Sequence, residues 1–426
     1  MRNQNVLFIH QNFPGQFVHV ASALAAAGHQ VVALGIEGRP LKGVRFLRYA
    51  PPRLQRASAL DTARDFEVKV ARGLACAAAM QRLQREGFEP DIVVAHPGWG
   101  EALFCKDVWP RARLVIYAEF FYGGEGSDFL FDPELSTDGP EQRARLRLKN
   151  TVHLHAFAAA DAIYSPTEWQ RSRLPPEYRA KAQVMFDGID TTRVAPDPAA
   201  TIQLQRAQLQ LAPGDEVITF VNRNLEPYRG FHVFMRALPE LMERRPNAHC
   251  IIVGRDSVSY GSPPSGGGTW RDAMLKEVGA RLPAGRVHFL GGLPYADYLR
   301  VLQVSACHVY LTYPFVLSWS CLEAMSVGCP MVASRTGPVQ EVVEHGATGR
   351  LFDFFDGKQL VEEVVGVLEN PQAAHAMGRR ARELVRERYD LASVCLPGQL
   401  RAVLGEDPYP RGRPPKRVMT VKATAC

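Results

Sequence analysis

The sequence predicts an α/β protein of two parallel-sheet domains that face each other across a cleft. Three observations carry this. The chain has 426 residues, more than one hydrophobic core usually serves. Short runs rich in Val, Ile and Leu alternate with helical stretches, the pattern of parallel strands joined by right-handed crossovers. That alternation stops near Gly188 and restarts near Glu216, so it is made twice.

In the first half, Val6–Ile9 reads as a buried strand, followed by the loop Gln11–Gln16 and a helix over Phe17–Ala27 that closes at Gly28. Strands are expected at Gln30–Leu34, Asp91–Ala95 and Leu114–Ala118, with Glu101–Val108 helical between the last two. The alanine-rich helix Arg143–Ala160 leads into a strand at Asp161–Ser165. Gly188-Ile189-Asp190 and Pro196-Asp197-Pro198 read as an interdomain connection. Strands then follow at Glu216–Phe220, His249–Val253, Val287–Leu290, His308–Leu311 and Pro330–Ala333. The helices between them are Phe231–Arg244, Thr269–Ala280, Tyr295–Gln303 and Ser320–Val327. Domains of residues 1–190 and 191–390 follow, with a helix at 391–407 returning toward the first domain and a tail at 408–426. In open parallel sheets ligands bind beyond the carboxyl ends of the strands, so both sets of strand-end loops should face the cleft.

Composition narrows the class. An apolar fraction of 46% with 22% charged residues is that of an ordinary globular protein. The longest apolar runs, such as Ala156–Ala160 and Cys250–Val253, are too short to span a bilayer. Val6–Ile9 is too brief for a signal peptide and is followed by polar His10–Asn12, which predicts a cytoplasmic location. Eight cysteines stand apart at 76, 105, 250, 307, 321, 329, 395 and 426, with no Cys-x-x-Cys pair, so reduced, mostly buried thiols are expected. The net charge of +6 suits anionic small molecules or an acidic membrane surface and is too weak to indicate nucleic acid. The tail holds Arg411, Arg413, Lys416, Arg417 and Lys422 among prolines; it reads as a solvated end, with contact to an anionic membrane as the alternative.

Chemistry concentrates in three loops. Asn12–Gln16 precedes a helix, where Gly15 lets backbone approach a ligand and the helix dipole favours an anion beside Gly15 and Gln16. Neither a Gly-x-Gly-x-x-Gly fingerprint nor a P-loop occurs, which counts against a nicotinamide enzyme and a P-loop nucleotidase. In Phe220–Gly230, Arg223 and Arg229 follow a strand and precede a helix, placed to clamp a diphosphate and neutralise charge as it leaves. In Tyr313–Met325, Ser318 or Ser320 can cap a helix whose amides at Trp319, Ser320, Cys321 and Leu322 offer an anion site. Glu323 is read in the first turn, able to accept hydrogen bonds from ribose hydroxyls. His153 and His155 diverge on one helix and do not form a metal pair. Gly123–Ser127 is a flexible loop that could close over an acceptor or form an ordinary turn.

With these residues in place, the second half resembles the donor domain of the family-4 retaining glycosyltransferases. The matching segments are Arg223 and Arg229, Ile251–Gly254, Phe289–Gly291, Leu322–Met325, Gly328–Ala333 and Glu341–Val343, in order over residues 216–352. His10–Phe17 and Ala95–Glu101 resemble the N-terminal domain of a bacterial subset of that family. The resemblance implies the GT-B fold, with an N-terminal Rossmann-like domain for the acceptor and a C-terminal one for a nucleotide-sugar donor. It implies transfer with retention, cationic side chains in place of a divalent metal, and donor contacts at Gly15, Gln16, Gly254, Phe289, Leu290, Ser318–Leu322 and Glu323. The acceptor would be a saccharide or lipid-linked saccharide in polysaccharide or lipopolysaccharide synthesis, at the inner face of the membrane. A silent nucleotide-sugar binder and a sugar-phosphate synthase are the competing readings. Three departures stand out: Arg229 replaces a lysine, Phe315 replaces an acid, and Glu119 stands where many relatives carry a histidine. Glu119 at a strand end is a candidate to orient the acceptor hydroxyl or stabilise oxocarbenium charge, and His96 to position substrate.

Overall fold

The computed structural model describes residues 3–50, 60–204 and 207–405; the basic tail read at 408–426 lies outside them. Two parallel sheets organise the chain. The first has strands β1 (Asn5–Ile9), β2 (Gln30–Gly35), β3 (Val44–Arg48), β4 (Ile92–Ala95), β5 (Arg113–Tyr117), β6 (Ala162–Ser165) and β7 (Ala182–Val184). Their order is β3-β2-β1-β4-β5-β6-β7, every pair parallel. The second has β8 (Val217–Asn224), β9 (His249–Arg255), β10 (Val287–Gly291), β11 (Cys307–Tyr310), β12 (Met331–Ser334) and β13 (Arg350–Phe352), in the order β10-β9-β8-β11-β12-β13, also parallel throughout. Val6–Ile9 of β1 and Cys250–Val253 of β9 read as continuous apolar runs because helices cover both faces of each sheet, leaving Val6–Ile9 fully buried.

The helices that matter below are α1 (Val18–Ala26), α2 (Arg64–Arg85), α3 (Pro140–Ala159), α4 (Glu168–Ser172), α5 (Phe231–Arg244), α6 (Tyr295–Gln303), α7 (Trp319–Ser326), α8 (Gly357–Glu369), α9 (Pro371–Arg388) and α10 (Leu396–Leu404). Several sequence expectations need correction. Glu101–Val108 is helical only at Cys105–Val108, because the chain first turns through Pro97–Gly100. β8 runs on through Arg223 to Asn224, so Arg223 is part of the strand and not of the loop after it. β3, β7 and the long α2 carry no reading from sequence. The buried face of α2 carries Cys76, Met80 and Leu83, and Gly73 is needed where the helix lies against Gly100: a Cβ there would meet the Gly100 carbonyl at 2.7 Å.

The chain passes between the two halves twice, side by side. Ile189 N–H donates to the Tyr389 carbonyl and Leu391 N–H donates back to Ile189. Gly188, at φ +93°, permits this approach, since a Cβ would lie 2.7 Å from Leu391 Cδ1. Beyond that crossing α10 packs against α1, with the Gln399 amide donating to the Phe186 carbonyl. The seven cysteines among the described residues are free and buried.

Candidate active site

The strand order of each sheet reverses once, between β1 and β4 in the first and between β8 and β11 in the second. Loops leaving two adjacent strands there diverge to opposite faces and open a crevice. His10 and Gly15 follow β1, His96 follows β4, and Glu119 follows the neighbouring β5. Across from them, the Arg229 turn follows β8 and the Thr312–Ser318 loop follows β11.

On the first side the side chains form one directed network. The Asn12 N–H donates to His10 Nδ1 at 3.0 Å, so neutral His10 carries its proton on Nε2 and donates to Gln16 Oε1 at 2.9 Å. Gln16 Nε2 then donates to Glu119 Oε1 at 2.6 Å. The Gly98 N–H donates to His96 Nδ1 at 3.1 Å, which likewise leaves His96 Nε2 as the donor to Glu119 Oε2 at 3.3 Å. Both carboxylate oxygens of Glu119 thus accept a hydrogen bond. Burial pushes this carboxyl up, but the hydrogen bonds from His96 and Gln16 oppose it, and the group sits below its ordinary value. Its side chain keeps 28% exposure, toward the crevice. His10 is buried and lowered to about 3 by burial and by the neighbouring His96, so it serves as a neutral donor. Gly15 is fixed by this network: a Cβ would stand 2.3 Å from His10 Nε2, at a φ of +50°.

On the second side Arg229 is buried in a 3-10 turn over Pro227–Arg229 that ends at Gly230. Its guanidinium donates to Thr312 Oγ1 at 2.6 Å and to the Val316 carbonyl at 2.9 Å, with the Tyr260 ring 5.4 Å from its carbon. Among the described residues no carboxylate lies within ion-pair distance of it. Glu226, three residues earlier, is spent on the Ser259, Tyr260 and Gly261 amides. A buried guanidinium held only by neutral oxygens costs folding energy unless an anion joins it. Arg223, by contrast, is exposed at the end of β8, so the two arginines hold different environments, not one shared loop.

Helix α7 begins beside this turn. Ser318 occupies the N-cap position, but its hydroxyl donates to the Tyr310 hydroxyl and pairs with Ser320 Oγ, so neither serine caps the helix as the sequence suggested. Cys321 N–H is spent on the Ser318 carbonyl, while Trp319 and Ser320 open the helix with amides that have no intrahelical acceptor. Positive helix-end potential and these two N–H groups face the same region as Arg229. Glu323 lies in the second turn of α7, not the first, and its carboxylate accepts from Tyr295 and Tyr298 hydroxyls at 2.6 Å each. Burial pushes that carboxyl up, against the two tyrosine bonds. Each carboxylate oxygen retains a second lone pair for an incoming hydroxyl.

The remaining donor candidates split. Gly254 is required by packing, since a Cβ would meet Leu225 Cδ2 at 2.6 Å. Phe289 and Leu290 sit on opposite faces of the edge strand β10, Phe289 under the Arg271 guanidinium at 4.5 Å. Phe315 is buried among Phe120, Tyr260, Tyr228 and Tyr122, with ring centroids 4.6 to 6.3 Å away, so no carboxylate stands at that position.

Residues absent from the sequence reading hold the two sides together. Glu341, noted only within a matching segment, receives the Glu168 and Trp169 amides at the start of α4, at 2.9 and 2.7 Å. Gly337 accepts the Trp169 indole so closely that a Cβ would be 2.1 Å from Nε1. Asp128 accepts from the Tyr228 hydroxyl at 2.9 Å, Asp132 from Tyr313, and Glu134 pairs with Arg236. Asp187 accepts from Trp319 Nε1 at 2.7 Å and from the Tyr117 hydroxyl at 3.2 Å. Burial pushes its carboxyl up to about 7 despite the Trp319 bond, with the Glu119 charge adding to the rise.

Two models of one enzyme class cover the chain in succession. The glycosyl transferase family 4 group matches residues 27–194 and the glycosyl transferases group 1 matches residues 201–384. The chain belongs to the family-4, group 1 glycosyltransferases. Among relatives, a D-inositol 3-phosphate glycosyltransferase of Corynebacterium efficiens is 26% identical over 314 residues, 71% of this chain and 69% of the relative. A GDP-mannose-dependent alpha-(1-6)-phosphatidylinositol monomannoside mannosyltransferase of Mycolicibacterium smegmatis is 29% identical over 52% of this chain, and the match spans 57% of that relative. The fold is that of solved glycosyltransferases: Anabaena HepE in complex with UDP-glucose superposes with a TM-score of 0.67 at 16% identity, covering 95% of this chain and 100% of HepE. WaaG, a glycosyltransferase involved in lipopolysaccharide biosynthesis, gives 0.65 at 18% identity over 94% of this chain and all of WaaG. The two parallel-sheet domains are therefore the GT-B architecture.

Proposed function

We propose that this family-4 glycosyltransferase moves a sugar, with retention, from a nucleotide-sugar donor to a saccharide or glycolipid acceptor, without a divalent metal. One observation carries the reading: Arg229 is a buried cation without an anionic partner among the described residues, beside the Trp319 and Ser320 amides that open α7. A donor diphosphate supplies the missing charge. As the sugar–phosphate bond breaks, charge grows on the leaving phosphate, and Arg229 with the helix end stabilises it. Glu323 with Tyr295 and Tyr298 then offers a polar seat for the ribose. Glu119, kept ionised by His96 and Gln16, faces the developing oxocarbenium charge from the other side of the crevice. HepE holds UDP-glucose on the same fold, and named relatives act on inositol phosphate and on a phosphatidylinositol mannoside; these support an anionic donor and a polar or lipid-linked acceptor. Polysaccharide or lipopolysaccharide synthesis in the cytoplasm, at the inner face of the membrane, is the setting proposed.

The test is nucleotide release from UDP-, GDP- and ADP-sugars with EDTA present, together with the anomeric configuration of the product by NMR. Release with EDTA and a retained anomer support the proposal; no release from any donor with simple saccharide or glycolipid acceptors refutes it. The aromatic enclosure of Phe315 favours one second reading, a donor binder that transfers nothing, which predicts binding with no release.

A further inference from the structure

A groove of about 580 Å³ opens at the carboxyl ends of β12 and β13, lined by Phe131, Arg335, Thr336, Asp353, Phe354, Phe355 and Asp356. No residue named above for donor or reacting sugar lines it. Its volume falls within the roughly 300–1,000 Å³ of small-molecule sites. Its floor is aromatic: Phe131, Phe354 and Phe355 stand with centroids 4.8 to 5.2 Å apart, and Phe355 is 46% exposed. Its rim is polar and charged on both signs, with Arg335 Nε 3.2 Å from Asp353 Oδ1 and the Asp353 side chain 73% exposed. Asp356 faces inward as well while capping α8 through the Gln359 amide.

Position gives the groove its meaning. Phe131 comes from the first domain, on the loop after β5 that also carries Glu119, and the other lining residues come from the second. Thr336 Oγ1 donates to the Thr312 carbonyl at 3.1 Å, and Thr312 Oγ1 is the hydroxyl that receives Arg229. The groove therefore lies one residue from the proposed phosphate seat. In the sheet order, β12 and β13 lie on the opposite side of β11 from β8, β9 and β10, the side that carries Glu226, Gly254 and Phe289.

An exposed ring flanked by carboxylates and a guanidinium matches a sugar: its C–H face packs on the ring while its hydroxyls donate to Asp353 and accept from Arg335. A lipid chain would leave those charges desolvated without partners. Resting on the transferase reading above, we propose that this groove binds a saccharide unit of the acceptor beyond the one that reacts, on a platform of Phe355 and Phe131 rimmed by Asp353 and Arg335.

The experiment is saturation-transfer NMR with linear gluco- and manno-oligosaccharides of two to four units, and with uridine and guanosine as competitors. It is run on the full chain, on Phe355→Ala and on Asp353→Asn, both side chains exposed enough that folding should survive, as thermal melts would verify. Transfer to ring C–H protons in the native protein, with affinity lowered about tenfold or more in both variants, supports the proposal. Equal binding by native protein and variants, no binding by any oligosaccharide, or displacement by the nucleosides would overturn it. The binding arm contains no donor, so a failure to release nucleotide in the earlier assay refutes the transferase reading separately from this one.

Discussion

Replacing Arg229 by methionine separates what the residue does for the fold from what it does for the donor. In the free protein the substitution removes a buried charge that Thr312 Oγ1, the Val316 carbonyl and the Tyr260 hydroxyl hold, with no carboxylate paired to it. Relief of an uncompensated charge and loss of its neutral hydrogen bonds oppose each other. Uncompensated buried charges cost about 3–5 kcal/mol and each of the two orphaned oxygens of Thr312 and Val316 about 1–3 kcal/mol, so the net change in stability should stay within about 3 kcal/mol of zero. The donor loses a charge-assisted bond in a site sheltered from water. Removing one preorganised donor of this kind costs roughly 2.7–4 kcal/mol, or 10²–10³ in rate. Thermal melts of the variant, with and without saturating nucleotide sugar, and its nucleotide-release rate decide the matter. The expected result is a melting temperature close to native, little shift on adding donor, and release slowed at least a hundredfold. A variant that kept its donor-induced shift and released nucleotide within threefold of native would refute the assignment of Arg229 to the phosphate.

Other consequences are equally specific. Glu119→Gln keeps the hydrogen-bonding shape but removes the charge, and should lower kcat by about 10²–10⁴ while donor affinity changes little, read from initial rates against donor concentration. Asp187 titrates near 7 when folded and near 3.8 when unfolded, so between these values the folded state holds a proton the unfolded state lacks. Its stabilising contribution is fully present below about pH 4 and lost as pH rises through 7, at most about 4 kcal/mol. Urea midpoints at pH 5 and pH 8 should draw together in Asp187→Asn, and an unchanged gap would contradict this. Glu341→Gln weakens the seat of the α4 amides, and a loss of about 1 kcal/mol in urea unfolding is expected, with a larger radius of gyration by X-ray scattering as the halves part. Gly15→Ala forces a Cβ into the His10 ring at positive φ and should cost about 1–3 kcal/mol, detaching Gln16 from Glu119.

The sequence carries the fold well wherever strands are buried on both faces. Val6–Ile9 and Cys250–Val253 are apolar runs with no alternation, and both strands are flanked on each side by another strand of their sheet. Short edge strands such as Ala182–Val184 are less visible, since three residues carry no period. Strand-end positions were legible too: His96, Glu119 and Gln16 converge, because parallel strands deliver their following loops to one crevice. Contacts between residues far apart in the chain were not. Nothing local marks Glu341 as the acceptor for amides at 168 and 169, or Asp187 as the partner of Trp319, since each pairing is made only when the two halves meet. Arg223 and Arg229 looked alike as strand-end cations; the four extra residues of β8 left one in solvent and the Pro227 turn buried the other.

The most direct measurement is a crystal structure of the protein soaked with the nucleoside diphosphate of whichever donor it binds. The account predicts a β-phosphate within hydrogen-bonding distance of the Arg229 guanidinium and of the Trp319 and Ser320 amides, with the ribose against Glu323. A diphosphate bound elsewhere, with Arg229 still held only by the protein's own neutral groups, would contradict it.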